Sequence, residues 1–257
     1  MIDTHAHFYD EFFLKDFQQQ LKQVQEQGIS EIWLPNCDTA TLPELIKLCQ
    51  ENPDIFYPMI GLHPTYVKEN YKFELEAIFN VINQTSNLLA IGEIGLDYYW
   101  DTTYKNEQIE AFELQCNWAL DRHVWVDIHC RKAYADLIKI LRKKEFSDLR
   151  GIVHCFSGDA SEAKHCIDNG FFLGIGGVVT YKNSTLFDAI KDIPLKHIVL
   201  ETDSPYLTPV PYRGTPNSPK YIPLIAQKLA DLYQIDVNEL LEITNQNANF
   251  LKKYSGV

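Results

Sequence analysis

The chain has 257 residues, 46% of them hydrophobic, and 23 Lys and Arg stand against 35 Asp and Glu for a formal net charge of −12. That length supports a large buried core and fits one domain over residues 1–257 better than two small ones, while the acidic balance disfavours a protein that coats nucleic acid by counterion release and leaves room for local docking of a phosphodiester at a cationic metal centre. No apolar run approaches a membrane span and the first residues lack a secretory leader pattern, so with six cysteines and no CxxC pair the expectation is a cytoplasmic protein with reduced thiols.

The opening "MIDTHAH" predicts a strand over residues 2–7, in which His5 and His7 point to one face, roughly 6–7 Å apart along the chain. Two imidazoles so placed can grip one metal ion; the plainer alternative is a solvated arm. "FFLKDFQQQLKQVQEQG" follows with Phe13, Phe17, Leu21 and Val24 at helical spacing and a stop at Gly28, which predicts one helix. "ISEIWLPN", "DIFYPMIG" and "LLAIGEIG" are the next three strand-like runs, with His63 after the second of them and Glu93 at the end of the third. After "GLDYYWD" comes a helix-like stretch with Ile109, Phe112, Cys116 and Leu120 on one face. "VWVDIHC" and "GIVHCFS" place His129 and His154 at strand ends. "SEAKHCIDNG" reads as a helix closed by Asn-Gly. "FFLGIGG" and "HIVLETD" complete eight strands, the last ending at Asp203. The Pro-rich "SPYLTPVPYRGTPNSP" predicts a long loop, and two helical segments follow from about residue 220 to 250.

Strand then helix, repeated eight times, is the pattern of a (β/α)₈ TIM barrel. An open doubly wound sheet is the alternative, but it usually carries a glycine-rich phosphate fingerprint after its first strand, where this chain has His-Ala-His. In a barrel, the C-terminal strand ends meet at one mouth. Each His, Glu or Asp taken singly can be a helix cap or a satisfied polar group, which is how we read His123, His165 and His197. Six strands each delivering such a residue to the same end points instead to a catalytic metal site. A pair of divalent ions can clamp the attacking and leaving oxygens of a phosphoryl transfer. Glu93 suits a bridge between ions, and Asp203 is placed to take a proton from the attacking water.

The ordered motifs "DTHAH", "GLHP", "GEIGLDYY", "HCRKA", "HCFSG", "ETDSPYL" and "NANFLKK" resemble the TatD family of metal-dependent hydrolases, within the amidohydrolase superfamily. The resemblance spans nearly the whole chain. It implies a TIM barrel, deoxyribonuclease activity of 3′-to-5′ exonuclease character, and two divalent ions (Mg, Mn or Zn) per chain. Carried over by motif, His5, His7 and Asp203 hold one ion. Glu93 bridges to a second, held also by His129 and His154. His63 touches substrate phosphate, as do Arg131 and Arg213. The implied partner is DNA, as single strands or frayed ends; no membrane or protein partner is implied. Where many relatives carry Lys-Arg after "RG", this chain reads "RGTPNSPKY", so that loop lacks basic charge. Some superfamily members bridge their metals with a carbamylated lysine at the fourth strand, where this chain has Glu93. Two other readings stay open: an enzyme acting on a small ester, lactone or phosphomonoester, and a barrel that binds metal without catalysis. Tyr98, Tyr99 and Trp100 either stack on nucleobases or pack their own loop.

Overall fold

The computed structural model describes residues 1–257. Its strands are β1 (Ile2–Asp3), β2 (Glu31–Pro35), β3 (Phe56–Met59), β4 (Ala90–Asp97), β5 (Trp125–Arg131), β6 (Gly151–Val153), β7 (Phe171–Ile175) and β8 (Ile198–Leu200). They form one eight-stranded parallel sheet in sequence order. The ring closes where β8 meets β1. Thr4 N donates to Leu200 O (3.1 Å), Asp203 N to His5 O (2.9 Å) and His7 N to Ser204 O (2.8 Å). Each of the eight strand-like runs contains a strand, and this closure rules out the open doubly wound sheet.

The first strand is shorter than its sequence suggests. Regular pairing stops at Asp3 and returns only as a single bridge between Ala6 and Ser204. The fully buried Asp3 carboxylate takes over the intervening hydrogen bonds, accepting from His5 N (3.3 Å), Thr202 N (3.0 Å) and Thr202 Oγ1 (2.6 Å). A buried carboxylate needs such partners, and here they fasten the two ends of the sheet together.

The helices are α1 (Glu11–Leu14), α2 (Phe17–Glu26), α3 (Leu42–Glu51), α4 (Tyr71–Gln84), α5 (Lys105–Arg122), α6 (Tyr134–Leu141), α7 (Ala160–Asp168), α8 (Leu186–Ile190), α9 (Ile222–Tyr233) and α10 (Val237–Tyr254). The single helix expected over 12–28 is thus two, broken at Asp16 (φ −134°, ψ 43°). Periodicity could not reveal the break, because Phe13 and Phe17 both still pack on Phe8, with ring centroids 4.3 and 6.0 Å away. Gly28 adopts φ +78° just past α2, a conformation that glycine tolerates at a helix end. The loop after β8 and the two helices beyond it stand where they were expected.

Apolar side chains fall into two clusters. The larger lies between the strands and the helical ring; the smaller, built on Trp33, Trp125, Met59, Ile152, Phe172 and Val199, fills the N-terminal end of the barrel. Helix α10 covers that end with Ala248 and Leu251. It is pinned there by Asn245 Oδ1 accepting from Ile2 N (3.2 Å) and by Lys252 Nζ against Glu31 Oε1 (2.9 Å). No helix is long and apolar enough to cross a membrane.

Candidate metal centre

Strand alternation carries the barrel interior from apolar to polar within a few residues. Along β5 the same face presents Trp125, Asp127 and His129; β6 presents Ile152 and then His154 just past its end; β8 presents Val199, then Glu201 and Asp203 beyond it. In β4 the pairing with β5 shifts register between Ile91 and Ile94. This bulge sets Glu93 facing inward although its neighbour Gly92 already lies against Asp127, where an added Cβ would stand 2.5 Å from Asp127 Cβ. Glu93 therefore lies within β4, not at its end, and His129 lies within β5.

Glu93 is the hub. Its Oε1 lies 2.8 Å from His154 Nε2, 3.0 Å from His129 Nδ1 and 3.1 Å from His63 Nε2. Its Oε2 lies 3.6 Å from His5 Nε2 and 3.8 Å from His7 Nε2. Asp203 Oδ1 completes the second group, 3.6 Å from His5 Nε2 and 3.5 Å from His7 Nε2. One carboxylate thus parts two sets of donors, and three overlapping groupings bring ligand atoms close enough to share an ion: His5, His7 and Glu93; His63, Glu93 and His129; His5, His154 and Asp203. His5 and His7 do share a face, with ring centroids 5.1 Å apart.

Most of the histidines fit a metal for a second reason: the outward nitrogens of four of them have partners. His5 Nδ1 meets Asp127 Oδ2 (2.8 Å), His7 Nδ1 meets Tyr9 OH (2.8 Å), His63 Nδ1 meets Thr65 Oγ1 (2.7 Å) and His129 Nε2 meets Asp97 Oδ2 (2.9 Å). His154 is the exception: its Nδ1 faces Glu201 Oε1 at 3.9 Å, beyond hydrogen-bond reach, and is buried without a partner. At His5, His7 and His129 such outer partners fix the ring and tautomer and leave the inner nitrogen free as a ligand; His63 Nδ1 instead accepts from Thr65 N (3.1 Å), which makes its inner Nε2 a donor. His5 Nε2 is buried and has no hydrogen-bond partner at all, as a nitrogen reserved for an ion would be.

The electrostatics follow from burial. Burial pushes Asp127 up to about 8 and Glu201 well above the usual carboxylate range. Burial also opposes ionisation of Glu93, but the surrounding His63 and His154 hold it well below that range. Burial opposes protonation of His154, yet the Glu93 carboxylate brings it up to about 10. Such a buried cluster of carboxylates and imidazoles is an environment in which one or more divalent ions would supply compensating positive charge.

His7, His63, Glu93, His129, His154 and Asp203 line a cavity of about 580 Å³ at the C-terminal end of the barrel, while His5, Asp127 and Glu201 lie fully buried behind it. The family model for TatD related DNase matches residues 2–252. The chain belongs to the TatD family. YabD of Bacillus subtilis, named as an uncharacterized metal-dependent hydrolase, is 33% identical over 252 residues, covering 98% of each chain. A protein of Erwinia tasmaniensis named 3′-5′ ssDNA/RNA exonuclease TatD is 29% identical over 257 residues, covering 98% of this chain and 99% of the relative. Among solved structures, the TatD homologue YJJV of Escherichia coli superposes with a TM-score of 0.92 at 27% identity, over 98% of this chain and 97% of that one. As a TatD protein, the chain is a metal-dependent hydrolase.

Within this TatD barrel, all seven His, Glu and Asp residues expected at the mouth converge. His63 was expected beside the centre; it stands as close to Glu93 as His129 does. Arg131 lines the cavity, but its guanidinium lies over the Tyr99 ring at 3.8 Å. Arg213 does not line it and instead covers Tyr181 at 3.9 Å. Tyr98 packs its loop, its OH donating to Asp136 (3.0 Å), whereas Tyr99 and Trp100 are exposed. His123 ends α5, His165 lies in α7 and His197 in a 3₁₀ turn, all away from the cavity. Sequence reasoning missed Asp97, Asp127 and Glu201. Two of them carried a readable signal: Asp127 precedes His129 by two residues and Glu201 precedes Asp203 by two, so each shares its neighbour's face.

Proposed function

We propose that this TatD chain removes nucleotides from the 3′ ends of single-stranded or frayed DNA by phosphodiester hydrolysis. The observation that carries the reading is the position of Glu93 between two donor sets, the arrangement a two-ion phosphoryl-transfer site needs. A relative named as an exonuclease on single strands supports it. His5, His7 and Asp203 would hold one ion; His129 and His154 the other, with Glu93 common to both. Divalent ions, two per chain and drawn from Mg, Mn or Zn, supply Lewis acidity to the phosphoryl oxygens and to water when bound.

The chain's own groups do the rest. Asp203 accepts the proton of the attacking water at a carboxylate oxygen and returns it to the departing 3′-oxygen, as the new P–O bond forms and the old one breaks. His63, at the rim of the donor set, is placed to meet a phosphate oxygen. Asp127 and Asp97 hold the His5 and His129 rings in one orientation. A cytoplasmic location belongs to the same reading, in keeping with six free cysteines.

The test uses protein stripped of metal and reloaded with single ions, given end-labelled single-stranded and duplex DNA beside a panel of small esters, lactones and phosphomonoesters. The reading requires mononucleotide release from single strands that stops in chelator and returns with a divalent ion. Turnover confined to the small substrates would replace it with the other hydrolase reading.

A further inference from the structure

We infer that Trp100, braced by Tyr99 and Arg131, is a stacking subsite that takes the nucleobase beside the scissile phosphodiester; this rests on the phosphodiesterase reading above. Trp100 lines the cavity yet is 69% exposed, an apolar ring held in water at the edge of a polar site. It is not a loose loop residue. Tyr99 N and Trp100 N both donate to Asp97 Oδ1 (2.8 and 3.2 Å), and the other Asp97 oxygen meets His129 Nε2 (2.9 Å). One buried carboxylate therefore ties the backbone at Trp100 to the donor cluster. The Arg131 guanidinium covers the Tyr99 face at 3.8 Å and lies 5.3 Å from the indole ring, and Tyr99 meets Trp100 edge to face at 5.0 Å. These contacts stiffen the loop and leave indole surface free.

The opposite wall is built alike. Tyr206 is 56% exposed and lines the same cavity, with its ring 5.9 Å from His7 and its amide donating to Asp203 O (2.8 Å). It follows β8, four strands round the ring from β4, whose following loop carries Trp100, so the two aromatics rise from opposite sides of the mouth. Arg131 is the one Lys or Arg lining the cavity, and it is already engaged with rings. A chain of net charge −12 with so little cationic lining has poor means of gripping a phosphate backbone. Aromatic faces supply affinity without that charge, since a stacked base is worth about 1–3 kcal/mol and every base has a π-face. The occupant these walls suit is a flat heteroaromatic base on an unpaired strand.

The chain provides its own reporter, because Trp33, Trp118 and Trp125 are buried and Trp100 is the exposed tryptophan. The first arm titrates the whole protein with oligothymidylate and with the same length of abasic deoxyribose-phosphate, following tryptophan emission. Quenching by the first and not by the second, absent in Trp100→Phe/Leu controls where the indole is gone, is the expected result. Equal quenching by both, or none, overturns the subsite. The second arm compares KM for oligonucleotides with and without a base at the penultimate position. Trp100→Ala should cut the preference for the base-bearing substrate by about five- to a hundredfold, and Trp100→Phe should restore most of it. An unchanged preference also overturns the subsite. If no phosphodiester is cleaved with any ion, the function reading fails, while the fluorescence arm still decides whether a base stacks here.

Discussion

The two ends of the barrel are made by the same strands and behave as different materials. At the N-terminal end Trp33, Trp125, Ile152 and Val199 pack as a dry plug under α10. Four residues further along β5, Trp125 has given way to His129, and four residues after Val199, beyond the end of β8, stands Asp203. The difference teaches where each kind of energy sits. The plug gains from apolar burial, whereas the mouth holds buried carboxylates and imidazoles that oppose folding unless they are paired or metal-bound. The plug serves stability and the mouth serves chemistry, which predicts that each can be disturbed with little effect on the other.

The sharpest way to break that division is Asp203→Asn. The amide keeps the shape but cannot take a proton, so kcat should fall by about 10²–10⁴-fold, while the melting temperature of the metal-free protein moves little. Rates measured beside metal content by elemental analysis check this, and near-normal turnover would remove Asp203 as the base. Glu93→Ala should go further on metal, lowering the number of ions retained, because both donor sets lose their common member.

Trp125→Ala is the counterpart at the other end. Emptying that fully buried site should cost about 3–5 kcal/mol of stability, read from denaturant unfolding, with ion stoichiometry intact in the folded protein. Loss of metal in this variant at a temperature where it remains folded would show that the two ends are not separate. Between the extremes lies Asp127→Asn, in the layer joining plug to mouth. It should weaken metal binding by about 10–100-fold without abolishing folding, and competition with a chelating dye measures it. The smallest effect is expected at the rim: Arg213→Ala should raise KM by about fivefold at most, as an exposed charge is worth ~0–1 kcal/mol, and by less than Arg131→Ala does.

The same division explains what the sequence made legible. Each inner side chain at the mouth is a His, Glu or Asp that breaks an apolar strand, so His129, His154 and Asp203 stood out in one dimension. The bulge that turns Glu93 inward leaves no such mark, since it is a matter of pairing with β5. Asp127 and Glu201 were readable but overlooked, each two residues before a recognised ligand candidate and on its face, and the early end of β1 was hidden because Asp3 finds Thr202 only once the ring has closed. The break between α1 and α2 was masked by a helical spacing that continues through it. Contacts local in sequence were readable; those made across the ring were not.

The seam between β1 and β8 also has a schedule. Asp3 and Thr202 are 199 residues apart, and His5 and His7 sit beside one while Asp203 sits beside the other. On a ribosome moving at roughly 5–20 residues per second, the first strand waits about 10–40 s for its partner. Through that interval the two leading histidines have been made and the donor set they belong to has not. On the proposed ligand set, metal loading at full affinity would therefore follow synthesis of the eighth strand, and an ion held by His5, His7 and Asp203 would act as a clasp across the last join of the ring.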